Sequence, residues 1–437
     1  HTPMAQVTAL TVEGETRLLD DGFQSAENEL HALGMDGVSC TLCHQIQPDG
    51  LGETASYSGG FMVDTETPVG ERPLFGPYPT DEQQAEMMRV ASGYLAVEAS
   101  HTSESKLCAT CHTLYTPSVD SAGQIVGEFP EQTPYLEWLS SDYRETHSCQ
   151  DCHMPVAAGE AKVSVTGGAA QSPFSKHIFV GGNVYMLNLL RRFGVEQAVT
   201  ASSDLFDATI ERTRDHLQNR AAAVEIVEVE VSGTTLTAQV AVNSQVGHKF
   251  PTGFPSRRVW LHVTVLDGDK QIVFESGAAT PDGAIVGNDN DESPAQYEPH
   301  YDEIGEAGQV QIYEAIMVDP EGSLTTVLLS GYGYAKDNRL LPAGLNKAAA
   351  DPDIAPYGAA VDDADFDSGS DQVLYQIDLG TAKGPFTVQV ELLYQSIGYR
   401  WVENVRSYQA VETSRFLEYA QGVPNTPVLV SSATATE

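Results

Sequence analysis

At Val224-Glu-Ile-Val-Glu-Val-Glu-Val231 the hydrophobic period of this chain changes from helical to alternating. Alternation of apolar and charged residues places the apolar side chains on one face of an extended strand. Gly233 turns the chain and alternation resumes over 236–242. Similar runs follow at 259–266, 271–274, 310–317, 325–329, 374–379 and 386–393, and Asp267-Gly268 supplies a hairpin turn between two of them. With about eight strands and no helical pattern between them, this half is predicted to be an antiparallel β-sandwich of immunoglobulin-like architecture.

Before this point the pattern is irregular and helical, so the expected class is α+β and multidomain. The expected boundary lies near Ala222, giving residues 1–222 and 223–437. Residues 1–80 are rich in Gly, Pro and Thr. A helical pattern covers 81–100, with Met87, Met88, Val90 and Leu95 on one apolar face. A short helix is expected over 134–144, and longer ones over 183–193 and 203–223.

The chemistry is confined to this first part. Cys40-Thr-Leu-Cys43-His44, Cys108-Ala-Thr-Cys111-His112 and Cys149-Gln-Asp-Cys152-His153 are three copies of C-x-x-C-H, and they use all 6 cysteines of the chain. This pattern is a c-type haem attachment site. Two thiols grip the haem edge and the adjacent His reaches the iron. The expectation is three haem c groups, attached through Cys40, Cys43, Cys108, Cys111, Cys149 and Cys152, with His44, His112 and His153 as proximal ligands. A disulfide framework does not require a His after every second Cys, and a chain of 437 residues can bury a core without staples. Structural zinc prefers paired C-x-x-C elements, and three motifs do not pair evenly.

Each low-spin iron needs a sixth ligand, and His is the natural choice for an electron carrier. His177 follows the third motif within Lys176-His-Ile-Phe-Val-Gly-Gly-Asn183, where glycines let the backbone approach a flat cofactor. His101 and His31 stand shortly before the second and first motifs. His248 lies in the loop Gly247-His-Lys-Phe-Pro-Thr-Gly253. These four are the distal candidates, and His147, just before Cys149, is a weaker one. Met35, Met62 and Met186 are competing distal ligands. His300 could join a metal site or cap a loop. Four good histidines for three positions leave two explanations: one is structural, or one iron takes its ligand from another copy, which would build a filament.

Lys plus Arg number 23 and Asp plus Glu 61, a net charge of −38. This balance argues against nucleic acid and anionic membranes as partners. It suits redox partner proteins or an extracellular acceptor. There is no apolar run of transmembrane length, so no membrane span is expected. Covalent haem attachment follows export, which implies a mature, signal-cleaved chain, secreted or periplasmic. The acidic run Asp362, Asp363, Asp365, Asp367 and Asp371 is a solvated loop or a Ca2+ site.

The stretches Leu107-Cys-Ala-Thr-Cys-His-Thr-Leu-Tyr115, Phe129-Pro-Glu-Gln-Thr-Pro-Tyr-Leu-Glu-Trp138 and Cys149-Gln-Asp-Cys-His-Met-Pro155 resemble a bacterial family of multihaem c-type cytochromes. The likeness continues through His177-Ile-Phe-Val-Gly-Gly-Asn183 and Gly247-His-Lys-Phe-Pro-Thr-Gly-Phe-Pro-Ser-Arg-Arg258. It reaches Lys336-Asp-Asn-Arg-Leu-Leu-Pro342 and Tyr394-Gln-Ser-Ile-Gly-Tyr-Arg-Trp401. The resemblance implies an electron carrier and supports His177 and His248 as ligands. Less specifically, the chain is similar to extracellular cytochromes that polymerise into filaments through a ligand from the next subunit.

Electron transfer by haem-to-haem hopping, without enzyme activity, is therefore the expected function. Two alternatives stand beside it: an oxidoreductase of nitrite or hydroxylamine type with one open haem, and a monomeric periplasmic shuttle. Arg257, Arg258, Lys336, Arg339, Arg400 and Trp401 are expected either to dock a partner or to form internal salt bridges.

Overall fold

The computed structural model describes every residue except 13, 15, 18, 19, 165 and 166. The chain is α+β and forms two compact units. One comprises His1–Leu114 and Ser148–His177, the other Tyr115–His147 and Ile178–Glu437. The units therefore interleave along the sequence, where the hydrophobic period suggests one cut at 222/223. Packing explains the difference. Ile210 and Leu217 of the helix Ser203–Arg220 belong to the core of the C-terminal strands. In the strand Ile125–Gln132, Phe129 is buried against Tyr334, whose hydroxyl donates to Pro130 O at 2.9 Å.

The strand-rich unit contains two main sheets. One runs in the order 324–325, 312–318, 258–266, 387–395, 428–436, with 272–276 paired to 258–266 and 333–337 to 312–318. The other runs 303–304, 370–378, 235–244, 222–232. Alternate residues of both sheets enter one hydrophobic cluster. Leu236, Ala238, Val240 and Val242 meet Val259, Leu261, Val263, Val265, Val388, Val390 and Leu392 there. Each such side chain contributes about 1.5–3 kcal/mol by leaving water.

Details depart from the expected all-antiparallel, helix-free pattern. The pair 303–304 with 370–378 is parallel. Helices Tyr399–Val405 and Val411–Gly422 separate the last two strands. The run at 325–329 is a two-residue strand followed by a 3-10 turn at Leu328–Ser330. The 258–266/272–276 hairpin forms, but the left-handed residue in its turn is Lys270, at φ 61°, while Asp267 accepts from the amides of Asp269 and Gln271. In the opening stretch, Ile226 and Val227 are consecutive apolar residues, and the ladder slips there: the register shifts between Ile226 and Glu228, leaving Val227 exposed on an edge strand.

The cysteine-bearing unit is built of short elements. The helix expected over 81–100 ends at Ser92, where Gly93 takes a left-handed φ of 78°, and Leu95 falls in the strand Leu95–Glu98 instead. Asp81 caps its start by accepting from Gln84 N. Met87, Met88, Val90 and Leu95 are all exposed rather than packed as a core face. Among the described residues this unit has only small apolar clusters, Ala5, Ala9 and Phe23 in one and Leu42, Ile46 and Leu51 in another.

Candidate metal centre

Each C-x-x-C-H sits on a short helix: Cys40–Cys43 with His44 at its C-cap, Ser105–His112, and Cys149–His153. Ser148 and Asp151 form a reciprocal capping box at the third. One helical turn brings both thiols and the His of a motif together. Hydrogen bonds then gather the motifs into one unit. Cys149 N–H donates to Ser105 Oγ at 3.0 Å and Gln150 Nε2 to Glu104 O at 2.9 Å, which joins the third motif to the helix of the second. Gly59 N–H donates to Thr110 O at 2.7 Å and Thr110 Oγ1 to Ser56 O at 2.5 Å, which ties the second to the segment after the first.

None of the 6 cysteines is paired in a disulfide. Cys108 and Cys149 share a thiol hydrogen bond. It draws Cys149 down to about 7 against the effect of burial and pushes Cys108 well up. Burial raises Cys43 and Cys111 as well. His44 is half-buried and its Nδ1 donates to Phe75 O at 2.5 Å. That bond places the ring proton on Nδ1 and leaves Nε2 the nitrogen with a lone pair, the tautomer a ligating His would need. His112 is exposed at the end of its helix and His153 is half-buried.

The ring of His177 lies 6.1 Å from that of His44, centre to centre, inclined by 29°. Burial, and after it the neighbouring His44, lower its pKa, which favours the neutral ring. Its position follows from the loop after the third motif. Ala157 N–H donates to Phe174 O at 2.8 Å and Lys176 N–H to Pro155 O at 3.1 Å, which carries His177 back toward the first motif. Two imidazoles bound to one metal at about 2.0–2.1 Å each place their ring centres about 6 Å apart, so this pair fits a shared iron.

His31 is half-buried with Nδ1 on Phe23 O at 3.0 Å, the same mode as His44. His101 differs: it is 3% exposed, its Nε2 bonds Ile46 O at 2.9 Å, and its ring meets Phe75 edge-on at 5.0 Å. The nitrogen that normally coordinates is therefore engaged in joining this segment to the first motif. The exposed apolar residues Met35, Met62, Met87, Met88 and Val90 lie in the same unit. They suit a large flat apolar cofactor, which a unit with so little core of its own would need.

His147 and His248 lie in the strand-rich unit. His147 is exposed, with Nδ1 2.9 Å from Thr146 Oγ1 and its ring 5.8 Å from Tyr143. His248 is half-buried and its Nδ1 donates to Lys249 O at 2.8 Å. The loop carrying His248 is held rigidly. A Cβ at Gly247 would lie 2.8 Å from Tyr143 Cβ and 3.2 Å from Trp138 Cδ1. Lys249 N–H and Thr252 Oγ1 both donate to Glu137 Oε2, at 3.0 and 2.5 Å. Lys249 Nζ meets Asp337 Oδ2 at 2.7 Å, and Arg339 bridges Asp337 at 2.7 Å and Glu137 at 3.3 Å. Burial pushes Asp337 up, but Arg339 and Lys249 more than offset it and hold it at about 2. The resembling stretches around 137, 249 and 337 thus converge on one buried ion network, which spacing alone did not reveal.

The cations considered for partner docking are engaged internally. Arg258 binds Asp291 at 2.8 Å, Lys336 binds Glu314 at 3.1 Å, Arg257 donates to Thr252 O and Arg400 to Asn290 O. Among the described residues, no helix is long and apolar enough to cross a membrane.

No protein-family model matches the chain, and no curated protein does. Among solved structures, a penta-heme cytochrome c552 from Thermochromatium tepidum has a similar fold, with a TM-score of 0.51 and 15% identity over 94% of this chain and 79% of that one.

Proposed function

We propose that the chain is a tri-haem c-type cytochrome that carries electrons outside the cytoplasm, and that residues 1–222 hold its haem-bearing part. The thiols of Cys40, Cys43, Cys108, Cys111, Cys149 and Cys152 would hold three haem groups through thioether bonds. His44, His112 and His153 are the proximal ligands. His177 would be the distal partner of His44, His31 would supply a second distal nitrogen and His248 a third, with His147 the reserve. Haem c supplies a one-electron ferric/ferrous couple at each site.

The observation that carries this is the His44–His177 spacing of 6.1 Å within a unit that also holds all three motifs. His177 comes from the same chain, so this iron needs no ligand from a second copy. The fold shared with a penta-heme cytochrome supports the same reading. We read the two sheets as a β-sandwich.

Intact mass and a pyridine haemochrome assay of the exported protein test the stoichiometry, with three attached haems expected. The ferric spectrum should be fully low-spin. A high-spin fraction that shifts on adding nitrite would favour the oxidoreductase instead, because catalysis at iron needs an exchangeable position.

A further inference from the structure

In the strand-rich unit, away from the cysteines, a second set of metal-capable side chains converges. Ligand atoms of His300, Asp302 and Asp363 lie within 4.8 Å of one another, as do those of Asp363, Asp365 and Asp371. Asp371 opens the strand Ser370–Asp378 and is 0% exposed. Its Oδ2 accepts from Tyr313 OH at 2.6 Å and Gln311 Nε2 at 3.0 Å. Its Oδ1 is buried with no hydrogen-bond donor among the described residues; His300 Nε2 stands 3.7 Å away, beyond hydrogen-bond reach. A buried carboxylate oxygen without a partner is costly and marks a missing cation or donor.

The tautomer of His300 selects the class of ion. Its Nδ1 faces the side-chain amides of Gln311 and Asn338, each at 3.0 Å, and amide nitrogens only donate. The ring proton is therefore on Nε2, which donates to Asp363 Oδ2 at 2.8 Å. His300 orients Asp363 and is not itself a ligand. What remains is an all-oxygen set. Asp363 and Asp371 are buried and Asp302 and Asp365 exposed, with Asp302 and Asp363 close enough to share a hydrogen bond. Asp363, Asp365 and Asp367 also stand at alternate positions, as in calcium loops. Lys347 directs its ammonium to the carbonyl oxygens of Asp363 and Ala360.

We propose that Asp302, Asp363, Asp365 and Asp371 form a Ca2+ site that locks the 363–371 loop onto the strand Ser370–Asp378. The site is independent of the haem reading. The test is calorimetric titration of the full, haem-loaded, chelator-treated protein with calcium chloride, with zinc and magnesium chloride as comparisons. One saturable calcium site and a higher thermal midpoint with calcium are expected. Asp302→Asn and Asp365→Asn change exposed residues, so the fold is retained, and each should weaken calcium binding by about tenfold or more. Three outcomes overturn the proposal: no saturable calcium binding, preference for zinc, or variants that bind calcium like the parent. The last would mean adsorption to a surface of net charge −38.

Discussion

The imidazoles of His44 and His177 lie with ring centres 6.1 Å apart and planes inclined by 29°, although the first belongs to the first motif and the second follows the third. The chain thus brings the first motif and the segment after the third together within its cysteine-bearing unit. Replacing His177 by Ala should leave three attached haems and turn one iron high-spin, restored to low spin by added imidazole. Ferric absorption and electron paramagnetic resonance would show it. An unchanged spectrum would remove His177 from the pair.

His101 makes the contrasting case. Its Nε2 bond to Ile46 O is buried, so His101→Ala should leave all irons low-spin. It should lower stability by about 1–3 kcal/mol, through an unsatisfied carbonyl. Denaturant unfolding measures the loss. A new high-spin signal would instead make His101 a ligand.

The buried network around Asp337 should respond unequally to truncation. Asp337→Asn strands Lys249 without a carboxylate partner and should cost about 3–5 kcal/mol. Lys249→Met leaves Asp337 paired with Arg339 and should cost less, about 1–3 kcal/mol. Equal losses from the two variants would contradict this pairing.

The same residue sets an acid limit. Its folded pKa of about 2 lies below the ordinary 3.8, so its contribution is complete above about pH 4. It is lost as pH falls through 4 to 2, amounting to about 2 kcal/mol. The thermal midpoint of the parent should fall over that window more steeply than that of Asp337→Asn. Parallel curves would show that Asp337 is not the titrating group.

Replacing His248 by Ala should likewise keep three attached haems and convert one iron to high spin, as judged from the ferric spectrum. No spectral change would leave the Glu137–Lys249 network holding a structural loop only.

The β-rich half was legible because alternation is a local property. Leu236, Ala238, Val240 and Val242 read as one face in the sequence and form one face in the sheet. The short strand at 303–304 was not legible, since two residues carry no period and only pairing with Leu374 and Tyr375 creates it. The helix at 82–92 was legible in kind but not in role: its apolar face, expected to pack, is exposed.

By itself the sequence determined three local groupings of two thiols and an imidazole, because C-x-x-C-H places them within one helical turn whatever surrounds it. It also determined the acidic charge and the change of period at Val224. Only the tertiary structure decided that residues 115–147 leave the cysteine-bearing unit while 148–177 return to it. Only it decided that His177 meets His44, and that His101 is held by a carbonyl. The physical reason is range. A motif acts over a few bonds, whereas the partner of a ring nitrogen is set by hydrogen bonds between segments tens of residues apart, which no local pattern encodes.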